Sequence, residues 1–378
     1  SHKKPKLVGL LSIQRNMLIY YIKFAFRNIR FNLTFSLINI IGLSIGLASC
    51  LLIFNYLSAQ WSYDKFHRSY ESIYRIHQDR QASDLPVQQS ATTTSRVAYE
   101  LTQSSTLIET VCRLHKNNGG VIVRAGNENY REENVMGTDE KFFELFDLPF
   151  IYGSASSALS QPQAIVLTKS TAEKYFGEVN PLGEEIIMKG GYGRWSEQGY
   201  DDRLGLQVAG VIEDLPQNTH LKFDMLVSFK IYANKENELS NWGDSFYTYV
   251  RLDEDAEPAE LSAQLPQIVE KYSPDQGIRL KLQSMHEIHL SSQLVDEIKD
   301  NGDEKVLWLL SAVAALILLL ACTNYINFAL AKALTRQKEV GIRKVFWANS
   351  QQLFGQLFTE AFLINTLALL LALTLIQL

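Results

Sequence analysis

Residues 34–57, TFSLINIIGLSIGLASCLLIFNYL, carry no charged side chain. A second run at 306–330, VLWLLSAVAALILLLACTNYINFAL, carries none either. A third, FTEAFLINTLALLLALTLIQL from Phe358, holds only Glu360. A helix that crosses the hydrocarbon core of a bilayer needs about 20 mostly apolar residues, and a buried helix of a soluble core rarely exceeds about 14. The runs predict transmembrane helices at 34–57, 305–330 and 356–378. A cleaved signal peptide has an apolar stretch of only about 7–15 residues. The first run is longer and begins 33 residues in, so it reads as a retained span. The chain stops inside the third run. It is therefore expected to be the N-terminal part of a longer protein, unless that span closes there; Met17 is a candidate native start.

Lys and Arg bias sets the side of the membrane that a loop occupies. Residues 1–33 hold seven Lys and Arg and no Asp or Glu. Residues 331–357 hold five against the single Glu339. The stretch 58–304 holds 23 basic and 39 acidic side chains, a net of −16. The two basic flanks are expected in the cytoplasm and the acidic stretch outside, in a bacterial inner membrane. In MLIYYIKFAFRNIRFNL, Lys23, Arg27 and Arg30 fall on one helix face, and Ile22, Phe26, Ile29 and Leu33 on another. That pattern predicts an amphipathic helix lying on the inner leaflet in contact with membrane lipids, or a simple basic anchor.

The outward stretch is long enough for compact units with their own cores. QAIVLT (163–168) reads as a buried strand. In the following KSTAEKYFG, Ser170 and Glu173 have the spacing of a capping box and Gly177 suits a C-terminal stop. EEIIMKG and LQVAGVIED read as strands, and IRLKLQ (278–283) alternates like a half-buried one. PAELSAQLPQIVEKY (258–272) reads as a helix opened by Pro258, with a kink expected at Pro266. KGGYGRWSEQGYDDRLG (189–205) reads as a hairpin tip or mobile loop. The expected fold class is α-helical transmembrane spans plus a large α+β extracytoplasmic domain. Cys112 is the only cysteine of that domain, so no disulfide can form within it.

No catalytic constellation emerges. The chain contains no Walker A motif, and its G-x-S-x-G match, Gly42 to Gly46, sits inside the first uncharged run rather than on a strand-to-helix turn. HEIH (286–289) lacks the i, i+4 spacing of a zinc helix and reads as a strand-to-loop turn. No catalytic residue, metal, cofactor or nucleic-acid partner is expected. Within the first span, Gly42 and Gly46 form G-x-x-x-G, a spacing that lets two helix backbones approach, or a chance pair in a glycine-tolerant segment. Asn324 and Asn327 share a face of the second span and are expected to hydrogen-bond to another helix.

Several blocks together resemble one family. ALSQPQAIVLTKSTAEKYFGEVNPLGEEI (158–186) and VAGVIEDLPQNTHLKFDMLVSF (208–229) are similar to the outward core domain of MacB-type ABC transporter permeases. The segment 301–362 resembles the FtsX-like permease segment that follows it, and FRNIRFNLTFSLINIIGLSIGLASCLLI resembles the family's first span. The blocks stand in the family's order over roughly 17–378. One departure is Phe346-Trp347, where the family has a small residue near the bend.

The resemblance implies a porter-like base, here 58–132 and 216–304, with an inserted lobe at 133–215. It implies no enzyme activity in this chain and a separate ABC ATPase as partner. It also implies a second permease half, as a homodimer or heterodimer, and a periplasmic substrate or adaptor. The stretch 331–355 would be the cytoplasmic coupling segment, with Lys338, Glu339, Val340, Gly341, Ile342, Arg343 and Lys344 bearing on the ATPase. By its residues alone, this stretch is equally a basic loop lying on lipid. The implied mechanism is mechanotransmission, in which the spans act as stiff levers on the outward domain. A membrane-anchored extracytoplasmic sensor or binding protein is the alternative. A sensor would carry a long cytoplasmic helix after its second span, whereas this chain turns back after about 25 residues to a further apolar run.

Overall fold

The computed structural model describes residues 20, 23, 25–27, 29–31, 33–81, 86–117, 119–196, 199–232, 243–273, 277–335 and 350–377. Its contacts divide the chain into two compact units. One comprises residues 1–58 and 305–378, the other residues 59–304.

The first unit is helical. Helix α1 (Leu33–Trp61) covers the first apolar run. Upstream of it, residues 20, 23, 25–27 and 29–31 are helical, with Lys23, Arg27 and Arg30 exposed and Ala25 buried. Phe26, expected on the apolar face, is exposed, while Ile29 packs beside Ile40, Ile364 and Ala368. The other two apolar runs form long helices near the C-terminus, introduced in their place below. Three helices are long and apolar enough to cross a membrane: Ser36–Trp61, Glu304–Ala331 and Phe358–Ile376.

The second unit is α+β. Its strands and helices follow in the order β1 (Ile73–Arg80), β2 (Gln88–Ser90), α2 (Ser95–Ser104), β3 (Ile108–Lys116), β4 (Val121–Ala125), β5 (Glu128–Glu132), β6 (Val135–Thr138) and α3 (Phe142–Leu145). Then come β7 (Phe150–Tyr152), β8 (Ala164–Thr168), α4 (Lys169–Phe176), β9 (Glu185–Ser196), β10 (Gly199–Ile212), β11 (Met225–Ser228) and β12 (Phe246–Leu252). The series closes with α5 (Pro258–Tyr272), β13 (Ile278–Ser284) and α6 (Met285–Ser291); α7 (Glu304–Thr335) and α8 (Ser350–Ile376) complete the first unit.

One sheet of thirteen described strands runs β13-β1-β12-β3-β6-β11-β8-β10-β9-β4-β5, with β2 on β1 and β7 on β10. Pairing is antiparallel except for β6 with β11 and β8 with β10. Three apolar cores lie along it. At one end Leu261, Leu265, Ile268 and Val269, one face of α5, pack with Val97 and Leu101 of α2 against Ile76, Val250 and Leu280. At the centre, Phe142, Phe146, Phe223 and Tyr249 cluster with Met285 and Ile288 of α6. Toward the other end Val121, Val123, Ile165, Leu167, Ile186, Met188, Leu206, Val208, Met225 and Val227 form the third core. The sheet passes between these cores without a break in its pairing.

Several local expectations need correcting. Helix α4 begins at Lys169, so its N-cap is Thr168 and Ser170 lies inside the first turn. There is no capping box: Asp214, distant in sequence, accepts hydrogen bonds from the Ser170 N–H at 2.9 Å and from Ser170 Oγ at 2.5 Å. A carboxylate supplied from another segment satisfies the free first-turn donors that a local Glu would otherwise reach. Gly177 does end the helix, at φ +69°, its N–H donating to Glu173 O. The hairpin alternative for 189–205 is the one observed, its two strands pairing antiparallel with Ser196 opposite Gly199. HEIH lies in α6, not in a turn. Helix α5 contains Pro266, the position of the expected kink.

Candidate functional site

The residues expected to bear on an ATPase, Lys338 to Lys344, lie outside the described residues, as do Phe346 and Trp347. The expected packing residues of the membrane helices are described. A Cβ on Gly42 would meet Asn324 Nδ2 at 3.3 Å, and a Cβ on Gly46 would meet Ala321 Cβ at 3.1 Å and Ile317 Cγ2 at 3.9 Å. Cys50 Sγ lies 3.4 Å from Ala314 O. As the α1 position rises by one turn, the α7 position falls by about one turn, which makes the two helices antiparallel neighbours. Asn327 is exposed, and Thr323 donates to Leu319 O within its own helix. The burial of polar residues in this unit was not anticipated from the sequence. Ser36 and Asn39 are buried in α1 with Ser36 Oγ and Asn39 Nδ2 unpartnered, and Glu360 is 4% exposed on α8.

In the outward unit, the described residues contain no cluster of three or more His, Cys, Asp or Glu arranged to hold a metal. Instead, one group of buried polar side chains converges where the chain enters and leaves this unit. Asp64, three residues beyond α1, is buried in the left-handed conformation at φ +58°. Its N–H donates to Asn218 O at 2.9 Å. Its carboxylate accepts from Thr219 Oγ1 at 2.6 Å and from the His220 N–H at 3.2 Å, and its Oδ2 lies 2.8 Å from His220 Nδ1. Burial pushes the Asp64 carboxyl up, but the pull of His220 and the hydrogen bonds from His220 and Thr219 outweigh it and hold it below the usual range. An ionised Asp64 can only accept, so His220 Nδ1 donates. The other nitrogen, Nε2, is 2.8 Å from the hydroxyl of fully buried Tyr249.

The loop 217–220 reaches in two directions. Asn218 Nδ2 donates to Ser62 O at 3.1 Å and to Ser62 Oγ at 2.9 Å. The carbonyls of Gln217 and Thr219 accept from Lys299 Nζ at 2.9 and 3.3 Å. Lys299 also lies 5.3 Å above the Tyr63 ring. Tyr63 in turn stacks on His289, with ring centroids 3.3 Å apart and planes within 3°. His289 Nε2 meets Gln60 Oε1 at 2.5 Å, and the Gly302 N–H donates to His289 O at 2.8 Å. A Cβ on Gly302 would come within 3.0 Å of His289 Nε2 and 3.1 Å of Gln60 Oε1, so only glycine fits there without displacement.

A second buried cluster adjoins Tyr249. Arg75, with no solvent exposure, is bidentate to Glu297 at 2.5 and 2.7 Å and also donates to Gln283 at 2.7 Å and Ser292 at 3.3 Å. Burial pushes the Glu297 carboxyl up, yet the Arg75 bonds prevail and leave it below its ordinary range. Ser292 Oγ and Asn301 fasten the same segment, through Glu297 Oε1 and Ser292 O. Burial depresses four histidines of this unit, His67, His77, His115 and His289, to about 4. Of these residues only His289, within HEIH, was singled out from the sequence. The available signal was PQNTH, a run of polar residues between two apolar strands.

An open cleft of about 390 Å³ lies between α2, β3 and residues 139–141, lined among others by Tyr99, Ile108, Val111 and Phe229. Its charges are internally matched, Arg113 with Asp139, Lys230 with Glu140 and Glu109 with Arg251.

Comparison with known proteins places these features in a family. A family model described as the MacB-like periplasmic core domain matches residues 36–268. The pyoverdine export ATP-binding/permease protein PvdT of Pseudomonas savastanoi is 22% identical over 259 residues, covering 66% of this chain and 35% of the relative. The macrolide export ATP-binding/permease protein MacB of Marinobacter nauticus is 23% identical over 256 residues, covering 66% and 36%. This chain thus spans about a third of the length of the curated relatives it matches. Among solved structures, the periplasmic region of MacB from Actinobacillus actinomycetemcomitans is 17% identical with a TM-score of 0.39, covering 56% of this chain and 89% of that one. With more than half of its residues matched by the family model, the chain belongs to the family of the MacB-like periplasmic core domain.

Proposed function

We propose that this chain is the permease part of an ABC transporter that works by mechanotransmission. The family match over residues 36–268 carries the reading, and the three apolar helices are consistent with it. In this reading residues 1–33 and 331–355 are cytoplasmic and 58–304 lies on the periplasmic side of the bacterial inner membrane, as the charge bias requires. ATP is hydrolysed on a separate ATPase subunit. Its closure moves the membrane helices as levers, and the outward units of two permease halves open and close on a periplasmic substrate or adaptor. The names of the relatives speak of pyoverdine and macrolide export; the cargo of this chain is a lipoprotein, a peptide or a drug-like molecule, or its role is regulation of the cell envelope.

The coupling segment is Lys338–Lys344. Arg343 and Lys344 supply charge steering that weakens with salt, and Val340 and Ile342 the buried apolar contact. A charge placed in an apolar contact costs more than a lost rim charge. Ile342→Asp is therefore expected to abolish ATPase co-purification, and Lys344→Ala to weaken it a few-fold at most. Membrane insertion is checked in parallel. Normal insertion of Ile342→Asp with unchanged ATPase binding and coupling would show that the segment is a lipid-facing loop.

A further inference from the structure

The chain enters the outward unit at Gln60 to Ser72 and leaves it at Ser292 to Asp303, two segments more than 200 residues apart in sequence. Both are gripped by the same four-residue loop. On the entry side the loop binds Ser62 through Asn218 and Asp64 through Asn218, Thr219 and His220. On the exit side it binds Lys299 through two backbone carbonyls. The two segments also touch each other directly, through Lys299 over Tyr63. His289 closes the ring between Gln60 and Gly302. These contacts are directional; those of Asp64 are buried and those of Ser62, His289 and Lys299 only partly so, and Asp64 takes a left-handed conformation to make its own. Such a set has one arrangement in which every group is satisfied, and any slip leaves buried polar atoms bare.

We propose that the loop Gln217–His220 is a clasp, with Asn218 and Asp64 as its positioning residues, that locks the entry and exit segments of the outward unit into one rigid collar. The collar makes the outward unit respond to its two membrane-connected ends as a single lever. This rests on the mechanotransmission reading for its purpose, and on the geometry alone for its existence.

The test uses the full chain in lipid nanodiscs, with Asn218→Ala and the milder Thr219→Val as disrupting variants. Arg68→Ala serves as control, its side chain 89% exposed and outside the network. Hydrogen exchange is read by segment. The clasp requires exchange in 59–72 and in 292–303 to rise together, by about tenfold, while the strands β8 and β10 keep wild-type protection. A rise confined to 59–72, or no rise in either segment of a folded Asn218→Ala protein, overturns it.

A second arm adds the co-purified ATPase and spin labels on the outward units. Asn218→Ala is expected to hydrolyse ATP at the wild-type rate while the ATP-dependent distance change falls at least several-fold. A short thiol crosslinker between Ser62→Cys and Asn218→Cys, in a background free of other cysteines, restores that change. A mere loss of stability would lower expression without separating hydrolysis from movement. Failure of the wild-type chain to bind any ATPase would sink the transporter reading and leave the exchange result to decide the clasp by itself.

Discussion

The collar and the third apolar core are held by different chemistry. Around β8, β9 and β10 the interior is Ile165, Leu167, Ile186, Met188, Leu206 and Val208, none more than 1% exposed. A buried carboxylate there, Glu132, is served by Lys174 at 2.6 Å and Tyr175 at 2.7 Å. The collar and its neighbourhood instead bury Asp64, Arg75, His220, His289, Thr219 and Ser292. Apolar packing is non-directional, so it fails by degrees and hardly notices pH. A polar network fails when one member is lost, because its partners are left desolvated, and it senses protons. One molecule thus carries a forgiving interior at one end of its sheet and a demanding one where the chain enters and leaves the unit.

Acid separates the two most strongly. Unfolded histidine titrates near 6.5, while His67, His77, His115 and His289 hold folded values of about 4. Below pH 6.5 the unfolded chain therefore binds protons that the folded chain refuses. The stability tied to these neutral rings is complete above about 6.5 and drains away as pH falls toward about 4. The midpoint of thermal unfolding should drop across this window by more than any single substitution below achieves. Hydrogen exchange should rise around the collar before it rises in β8 and β10. Uniform loss across both regions would erase the contrast.

Next in size are single core changes. Arg75→Met leaves the Glu297 carboxylate buried without its partner and should cost about 3–5 kcal/mol. The double variant Arg75→Met with Glu297→Met should recover most of that, since a buried pair replaced as a whole is often neutral. Leu167→Ala, in the apolar core, should cost about 2–5 kcal/mol with no second-site recovery of this kind. Urea unfolding of the four proteins at pH 7.5 checks both statements. A double variant no better than Arg75→Met would mean that the network contributes more than its charges.

Smallest are the local ends. Asp214→Ala removes the carboxylate that serves the first turn of α4 and should cost about 1 kcal/mol. Glu173→Ala, a capping-box partner only on sequence spacing, should cost less. Equal losses would restore the local reading of that helix start.

Much of the architecture was legible because it follows from period and length. The three apolar runs, the buried strand Ala164–Thr168, the stop at Gly177 and the alternation of Ile278–Ser284 each need only near neighbours to be read. The start of α4 misled because Asp214 comes from 44 residues away. The collar was invisible for the same reason on a larger scale. Asp64 meets His220 across 156 positions, and Arg75 meets Glu297 across 222. Polar loop residues have no period, so nothing local distinguishes Asn218 from a solvated asparagine. Within the apolar runs, hydropathy averaged over Ser36, Asn39 and Glu360 and concealed that they are buried.

The proximity of Gln60 to Gly302 has an architectural consequence. A segment of more than 240 residues begins and ends at nearly the same point, as an insert does when spliced into a loop of its host. An exchange of everything between Ser58 and Lys305 for a short linker would leave the two membrane helices joined as a plain hairpin. Conversely, a unit whose two ends meet in this way should be transferable as a cassette into another helical hairpin.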